Sequence, residues 1–201
     1  MVARRWPSRE RLVKRLANEP ALRGRRVFCM DMSWVTGRIA VGGGIWNAEN
    51  MTAVARAGVT HIIDMQIEFD DTRLAEPLGI EVLWNPIDDD FQPKRPEVFQ
   101  AGVEFALRAL DQDGTKLFVH CAAGVHRAPM MTLAILCSLG WTLKDAIRLI
   151  EAKRPSVDFA DVYVRSVERF LEEQIKFSIG SKTEFVTARW PTWTLLSGTM
   201  F

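Results

Sequence analysis

Residues 117–131 read Leu-Phe-Val-His-Cys-Ala-Ala-Gly-Val-His-Arg-Ala-Pro-Met-Met. An apolar strand ends at His120, a short loop holding Cys121 and Gly124 follows, and Arg127 opens an apolar helix. A strand that feeds a helix through such a loop has a direct physical use. Successive backbone N–H groups in the loop can converge on one point and form an anion-binding nest. The first N–H groups of the helix lack intrahelical partners, and the helix dipole adds positive potential there. Gly124 admits a tight or left-handed backbone where a side chain would clash. Arg127 brings a planar fork suited to two oxygens of a phosphoryl group. The same surroundings favour the thiolate of Cys121, and a thiolate at the base of a phosphate cradle is a phosphoryl acceptor.

Outward from this segment, strands and helices alternate. Thr60–Met65 and Ile80–Trp84 are compact strands, and residues 27–41 look extended up to the triplet Gly42-Gly43-Gly44. That triplet does not complete a dinucleotide fingerprint, so it reads as a strand-to-helix turn. The spacing predicts a helix over Ala48–Ala57 capped by Asn47, and another over Pro96–Leu110 stopped by Asp113-Gly114. Arg73–Pro77 is at most one helical turn. Three further helices fall near 128–139, 143–153 and 160–176, and a short one at Arg9–Asn18 behind Ser8. This alternation implies an α/β fold, three-layer α/β/α with a mainly parallel central sheet. Residues 1–176 then form one domain with a basic N-terminal helix. Residues 177–201 form a tail whose Trp190, Trp193, Leu195, Leu196 and Phe201 are too apolar for a solvated linker. The tail is expected to dock on the domain or to contact a partner.

The composition bounds the alternatives. A chain of 201 residues suits one ordinary domain plus an extension and needs neither metal nor disulfides for stability. Its 48% apolar and 25% charged residues exclude a mainly disordered or fibrous chain. The net charge of +1 hides an uneven distribution: residues 1–26 hold nine Lys or Arg, and residues 61–90 hold nine acids against Arg73. The basic run reads as a solvated helix or as a dock for an anionic partner, and its Glu10 and Glu19 argue against a transit peptide. No run approaches 18 apolar residues and no apolar signal core opens the chain, so a cytoplasmic protein without a membrane span is expected. Cys29, Cys121 and Cys137 make no paired framework, which suits a reducing compartment. No period of 20–50 residues recurs, which rules out a repeat protein.

His120-Cys121 with five residues before Arg127 resembles the signature of the cysteine-dependent protein tyrosine phosphatases. The Cys-Ala-Ala-Gly-Val stretch is especially similar to their dual-specificity branch, and the likeness extends over roughly residues 34–173. The resemblance implies that Cys121 is the nucleophile of a phosphocysteine intermediate and that Arg127 binds phosphate and the transition state. It also implies that the amides of Ala122, Ala123, Gly124, Val125, His126 and Arg127 complete the cradle, with His120 supporting the cysteine from behind. The family's general acid is an aspartate on a separate loop. Asp89 lies three residues after Pro86 and 32 before Cys121, where the family places it. Asp90 is the runner-up, because Asp90 to Pro93 resembles the acid loop of plant glucan phosphatases. Asp88, Asp89 and Asp90 could instead be a solvated turn or a metal site, but thiolate chemistry on phosphate requires no metal.

Two positions depart from the family. Ala128 stands where a Ser or Thr usually donates to the departing sulfur, although Ala-Pro also follows the arginine in the plant glucan phosphatases. His126 stands where glycine or serine is common. Its ring is expected to project outward with only its backbone on phosphate, the alternative being that its charge joins the cradle. His120, Cys121 and His126 lack a fourth ligand for zinc. Cys137 reads as a core residue, and Trp46, Trp84 and Trp141 read as core or rim packing.

The resulting expectation is a phosphomonoester hydrolase that needs no cofactor and acts on phosphotyrosine and phosphoserine or phosphothreonine in proteins. Three alternatives stand beside it. The same chemistry could serve phosphoglucan, phosphoinositide or RNA 5′ ends, or the chain could bind phosphorylated partners without turnover. A rhodanese-type sulfurtransferase is the third, though its loop has one residue fewer. No nucleic-acid partner is expected, and the oligomeric state is open.

Overall fold

A computed structural model describes residues 30–180, with side chains to residue 176. The predicted Arg9–Asn18 helix and nearly all of the apolar tail lie outside the described residues. The elements in chain order are β1 (Met32–Trp34), β2 (Ile39–Gly42), α1 (Ala48–Arg56), β3 (His61–Asp64), α2 (Thr72–Ala75), a 3-10 turn (Glu76–Leu78), β4 (Glu81–Trp84), α3 (Pro96–Leu110), β5 (Leu117–His120), α4 (Arg127–Ser138), α5 (Leu143–Lys153) and α6 (Asp161–Gly180).

The five strands form one sheet in the order β1-β2-β5-β3-β4. β5 runs parallel to both neighbours, with Leu117 opposite Ile39 on one side and His61 on the other. β4 continues the parallel set, and only β1 is antiparallel. All four residues of β5 are buried, as the unbroken apolar run of a doubly covered parallel strand requires. Alternation along the strand sends Leu117 and Val119 into a core with Phe99, Met131, Leu133, Tyr163 and Phe170 from α3, α4 and α6. Phe118 faces the opposite core, with Met51 and Val54 of α1 and Ala75 of α2. The fold is therefore the expected α/β/α sandwich with a mainly parallel sheet.

The local signals explain most boundaries. The Asn47 side chain accepts the Asn50 N–H and caps α1, and Pro96 sits where an N–H would be unpaired anyway. One expectation needs correction: residues 30–41 are not a single extended run. The Thr36 hydroxyl accepts the N–H groups of Arg38 and Ile39 and turns the chain back, so β1 and β2 form an antiparallel hairpin. Trp46, Trp84 and Trp141 are 49%, 44% and 42% exposed, which places them on the rim and not in the core. Among the described residues, no helix is long and apolar enough to cross a membrane.

Candidate active site

The buried strand β5 delivers Cys121 to the C-terminal edge of the sheet, where the side chain is almost fully enclosed. Residues 122–126 then turn back against the glycine triplet after β2. The Cys121 N–H donates to the Gly42 carbonyl at 3.4 Å, and the Gly44 N–H donates to the Ala122 carbonyl at 3.0 Å. Only glycine fits at position 124. Its φ is 66°, and a Cβ there would lie 2.4 Å from the Gly42 carbonyl carbon. In this conformation the Gly124 N–H donates to Cys121 Sγ at 3.2 Å.

The loop is held from outside by Arg154, a buried residue at the end of α5. Its Nε donates to the Gly124 carbonyl at 2.8 Å and its Nη2 to the Ala123 carbonyl at 3.1 Å. Both Asp31 carboxylate oxygens take the guanidinium from the other side, at 2.7 and 2.6 Å. That hydrogen-bonded pair holds the Asp31 carboxyl below its ordinary range, against the opposing effect of burial. With two loop carbonyls tied outward, the Gly124 amide is free to face the sulfur.

Arg127 opens α4 and is buried. Glu68, on the loop after β3, grips the fork with both oxygens, at 2.9 Å from Nη1 and 2.7 Å from Nη2. Nη1 also donates to the Ile87 carbonyl at 3.1 Å. Burial disfavours the charge on Arg127, but the Glu68 hydrogen bonds and the nearby Cys121 and Asp89 raise its pKa further above the ordinary value. The Glu68 carboxyl is lowered in return, chiefly by its bonds to Arg127. One buried donor of the fork, Arg127 Nε, has no hydrogen-bond partner and lies 3.8 Å from an Asp89 oxygen.

The segment after β4 carries Asp88, Asp89 and Asp90, which the structure separates. Asp88 is exposed. Asp90 accepts from Lys94 Nζ and from the Gln92 N–H, and these bonds hold its carboxyl low. Asp89 instead turns toward Arg127. Its Oδ1 accepts the Tyr163 hydroxyl at 2.9 Å, and its Oδ2 lies 3.0 Å from His126 Nδ1. Burial pushes the Tyr163 phenol up to about 12, so it stays a donor at neutral pH. Phe91 closes the group: its N–H donates to the Tyr163 hydroxyl at 3.0 Å and its ring stacks on Tyr163.

His126 departs from expectation. Its ring does not project outward but lies between Asp89 and Asp158, with Nε2 at 3.5 Å from Asp158 Oδ2. The reason is tertiary: the Asp158 N–H donates to the Val125 carbonyl, which draws residue 158 onto the loop, and Phe91 packs edge-on against the imidazole.

Behind Cys121, His120 is fully buried with Asp64 and Asp71, its Nε2 lying 3.1 Å from Asp71 Oδ2. Burial raises the Asp64 carboxyl to about 7, opposed by His120 and reinforced by Asp71. The donor atoms of these three residues lie within 4.8 Å of one another, so they could hold a cation. Cys121 and Cys137 are both free, and burial pushes the Cys137 thiol up to about 11, in keeping with a packing role.

The structure thus brings Cys121, Gly124, His126, Arg127 and Asp89 together, and it separates Asp90 from them. Sequence reasoning missed Glu68, Tyr163, Asp158 and the Asp31–Arg154 pair. Glu68 had a signal, as part of the acid-rich stretch after a strand, and Arg154 another, in the Arg154-Pro155 pair that falls within the family likeness.

Comparison with known proteins agrees with this architecture. The family described as dual specificity phosphatase, catalytic domain, matches residues 45–173. Dual specificity protein phosphatase 26 of Rattus norvegicus is 34% identical over 110 residues, covering 53% of this chain and 52% of that protein. Laforin of Mus musculus is 30% identical over 124 residues, covering 50% of this chain and 36% of that protein. The chain thus spans about half the length of the phosphatase 26 relative it matches. Among solved structures, PTPMT1 in complex with PI(5)P superposes with a TM-score of 0.66 at 20% identity, over 74% of this chain and 99% of that one. Tk-PTP in the active form gives 0.61 at 23% identity, over 72% and 97%. With the signature loop, the sheet order and the family match over residues 45–173 in agreement, the chain belongs to the dual specificity phosphatase catalytic-domain family.

Proposed function

We propose that this chain hydrolyses phosphomonoesters through a phosphocysteine intermediate, acting on phosphotyrosine and phosphoserine or phosphothreonine in proteins. The observation that carries the reading is Arg127 Nε, a buried donor without a partner beside the Cys121 loop. Glu68 occupies the Nη1–Nη2 end of the fork and leaves the Nε edge to face a phosphoryl oxygen. A buried unpaired donor costs on the order of 1–3 kcal/mol, which an anion in the cradle would recover.

In the first step the Cys121 thiolate attacks phosphorus, the P–O bond breaks, and protonated Asp89 gives its proton to the leaving oxygen. In the second, water attacks the phosphocysteine, Asp89 takes a proton from it, and the S–P bond breaks to release inorganic phosphate. Arg127 and the loop amides offset the charge that grows on the equatorial oxygens. Asp89 suits the acid role better than Asp90, whose carboxyl Lys94 holds ionised.

The mouth favours a substrate with one phosphate on a neutral or basic carrier. Beside the paired Glu68 and Asp90, Asp70 and Asp88 are exposed on the loops that leave the same sheet edge, and their charge would repel a polyanionic headgroup. A second reading has its own observation. Trp46 is exposed just beyond β2 and Trp84 at the end of β4, and the Trp84 indole is pinned by its bond to the Gln66 carbonyl, a geometry suited to stacking on a sugar.

The test is a panel of phosphotyrosine and phosphoserine peptides, phosphoglucan and phosphoinositide, assayed side by side with wild type and Cys121→Ser. Release of phosphate from the peptides by wild type alone supports the proposal. Preference for phosphoglucan moves the assignment to the second reading, and binding without turnover in wild type defeats hydrolysis altogether.

A further inference from the structure

His126 is one of three histidines in the chain, and it is the one that touches the acid loop. Its Nδ1 lies 3.0 Å from Asp89 Oδ2, and its Nε2 lies 3.5 Å from Asp158 Oδ2. The charged and titratable groups around the imidazole are these two carboxylates, the Tyr163 hydroxyl on α6, and Arg127 on its own segment. The imidazole is enclosed, with 18% of its side chain exposed, while Asp158 is open to solvent.

We propose that His126 is a positioning residue for the general acid and shares one proton with Asp89 across the Nδ1–Oδ2 contact. The proposal rests on the phosphatase reading above and adds a partner to its acid. Asp158 faces the other ring nitrogen, Nε2, at 3.5 Å, so Nδ1 is the nitrogen within hydrogen-bond reach of Asp89. Tyr163 holds the other carboxylate oxygen, so the carboxyl is fixed at both ends over the cradle.

The balance is simple. The singly protonated pair is either carboxylic acid with neutral imidazole or carboxylate with imidazolium, and both forms carry the same proton count. In the first half-reaction the proton passes from Asp89 to the leaving oxygen as the P–O bond breaks, leaving carboxylate and neutral imidazole. In the second, the attacking water returns a proton to Asp89 and the pair is restored. Because two coupled sites titrate as a unit, the alkaline fall of activity follows the ionisation of the pair and not that of an isolated carboxyl.

His126→Asn tests this, since the Asn amide can still donate to Asp89 but cannot titrate. On an alkyl phosphate, the alkaline limb of kcat/KM is expected to move to lower pH. The substitution should cost about tenfold at neutral pH, a fraction of what a complete general acid supplies. On an activated aryl phosphate the cost should nearly vanish, and in an Asp89→Asn background His126→Asn should add nothing. An unmoved limb, or a loss that adds fully to that of Asp89→Asn, overturns the proposal. If Asp89→Asn itself shows no leaving-group dependence, the acid assignment of the earlier reading has failed instead. Nitrogen NMR of the wild-type protein serves where the variant does not fold. Coupled, two-step titration of His126 that becomes one step in Asp89→Asn supports the pair, and identical single steps in both proteins refute it.

Discussion

A single guanidinium connects three loops of this protein, and its chemistry depends on planarity more than on charge. Arg127→Lys keeps the charge but loses the two-point grip of Glu68 and the separate Nε edge. We expect kcat/KM to fall about a hundredfold or more, as for loss of a transition-state donor; a change under threefold would show that Arg127 does not clamp phosphate. Asp89 and Asp90 can be separated by leaving group. Asp89→Asn is expected to cost about 10²–10⁴-fold on an alkyl phosphate and far less on an activated aryl phosphate. Asp90→Asn, which removes only the partner of Lys94, should show no such dependence. If the two variants exchange these behaviours, the acid is Asp90. Cys121, Gly124 and Arg127 were legible in the sequence because one loop holds all three, so their spacing alone reports their meeting. Glu68, Tyr163 and Asp158 reach the site from separate elements, 59 positions from Arg127, 74 from Asp89 and 32 from His126, and no local spacing encodes such meetings. His126 was seen, but its direction was misread because Asp158 and Phe91 decide it.

At the scale of elements, the helices and parallel strands could be read from periodicity and caps, since each is specified locally. The β1–β2 hairpin could not, because a turn built on the Thr36 hydroxyl has no strong Gly or Pro signal beyond Gly37. The junction of β5 and α4 rests on Gly124, wedged against Gly42 with a left-handed backbone. Gly124→Ala must either relieve the contact by moving the loop or hold a strained φ, at a cost of about 2 kcal/mol. Denaturant unfolding should show that loss, together with weakened binding of inorganic phosphate. Unchanged stability and unchanged phosphate binding would mean that the loop tolerates a Cβ after all.

For the molecule as a whole, the buried Asp64–Asp71–His120 group behind the cysteine links stability to pH. The Asp64 carboxyl sits at about 7, above its ordinary 3.8, because burial disfavours its charge. A native pKa raised in this way contributes stability that is complete below about pH 4 and is lost as pH rises through 7. The loss is on the order of 4 kcal/mol. Asp64→Asn keeps an oxygen for the Gln66 N–H but cannot ionise, so it should flatten the decline between about pH 4 and 7 in denaturant titrations. A decline as steep as in wild type would place its origin elsewhere. The sheet order has a further consequence, in time instead of energy. β5, which presents Cys121, is the middle strand, bracketed by β2 and β3, while half-buried β1 and β4 form the edges. Edge strands fray in partial openings, whereas a central strand is released only when the entire domain opens. In deuterated solvent, the amides of Phe118 and Val119 should therefore be among the last to exchange. The mooring of Cys121 would then outlast the local fluctuations of the sheet edges.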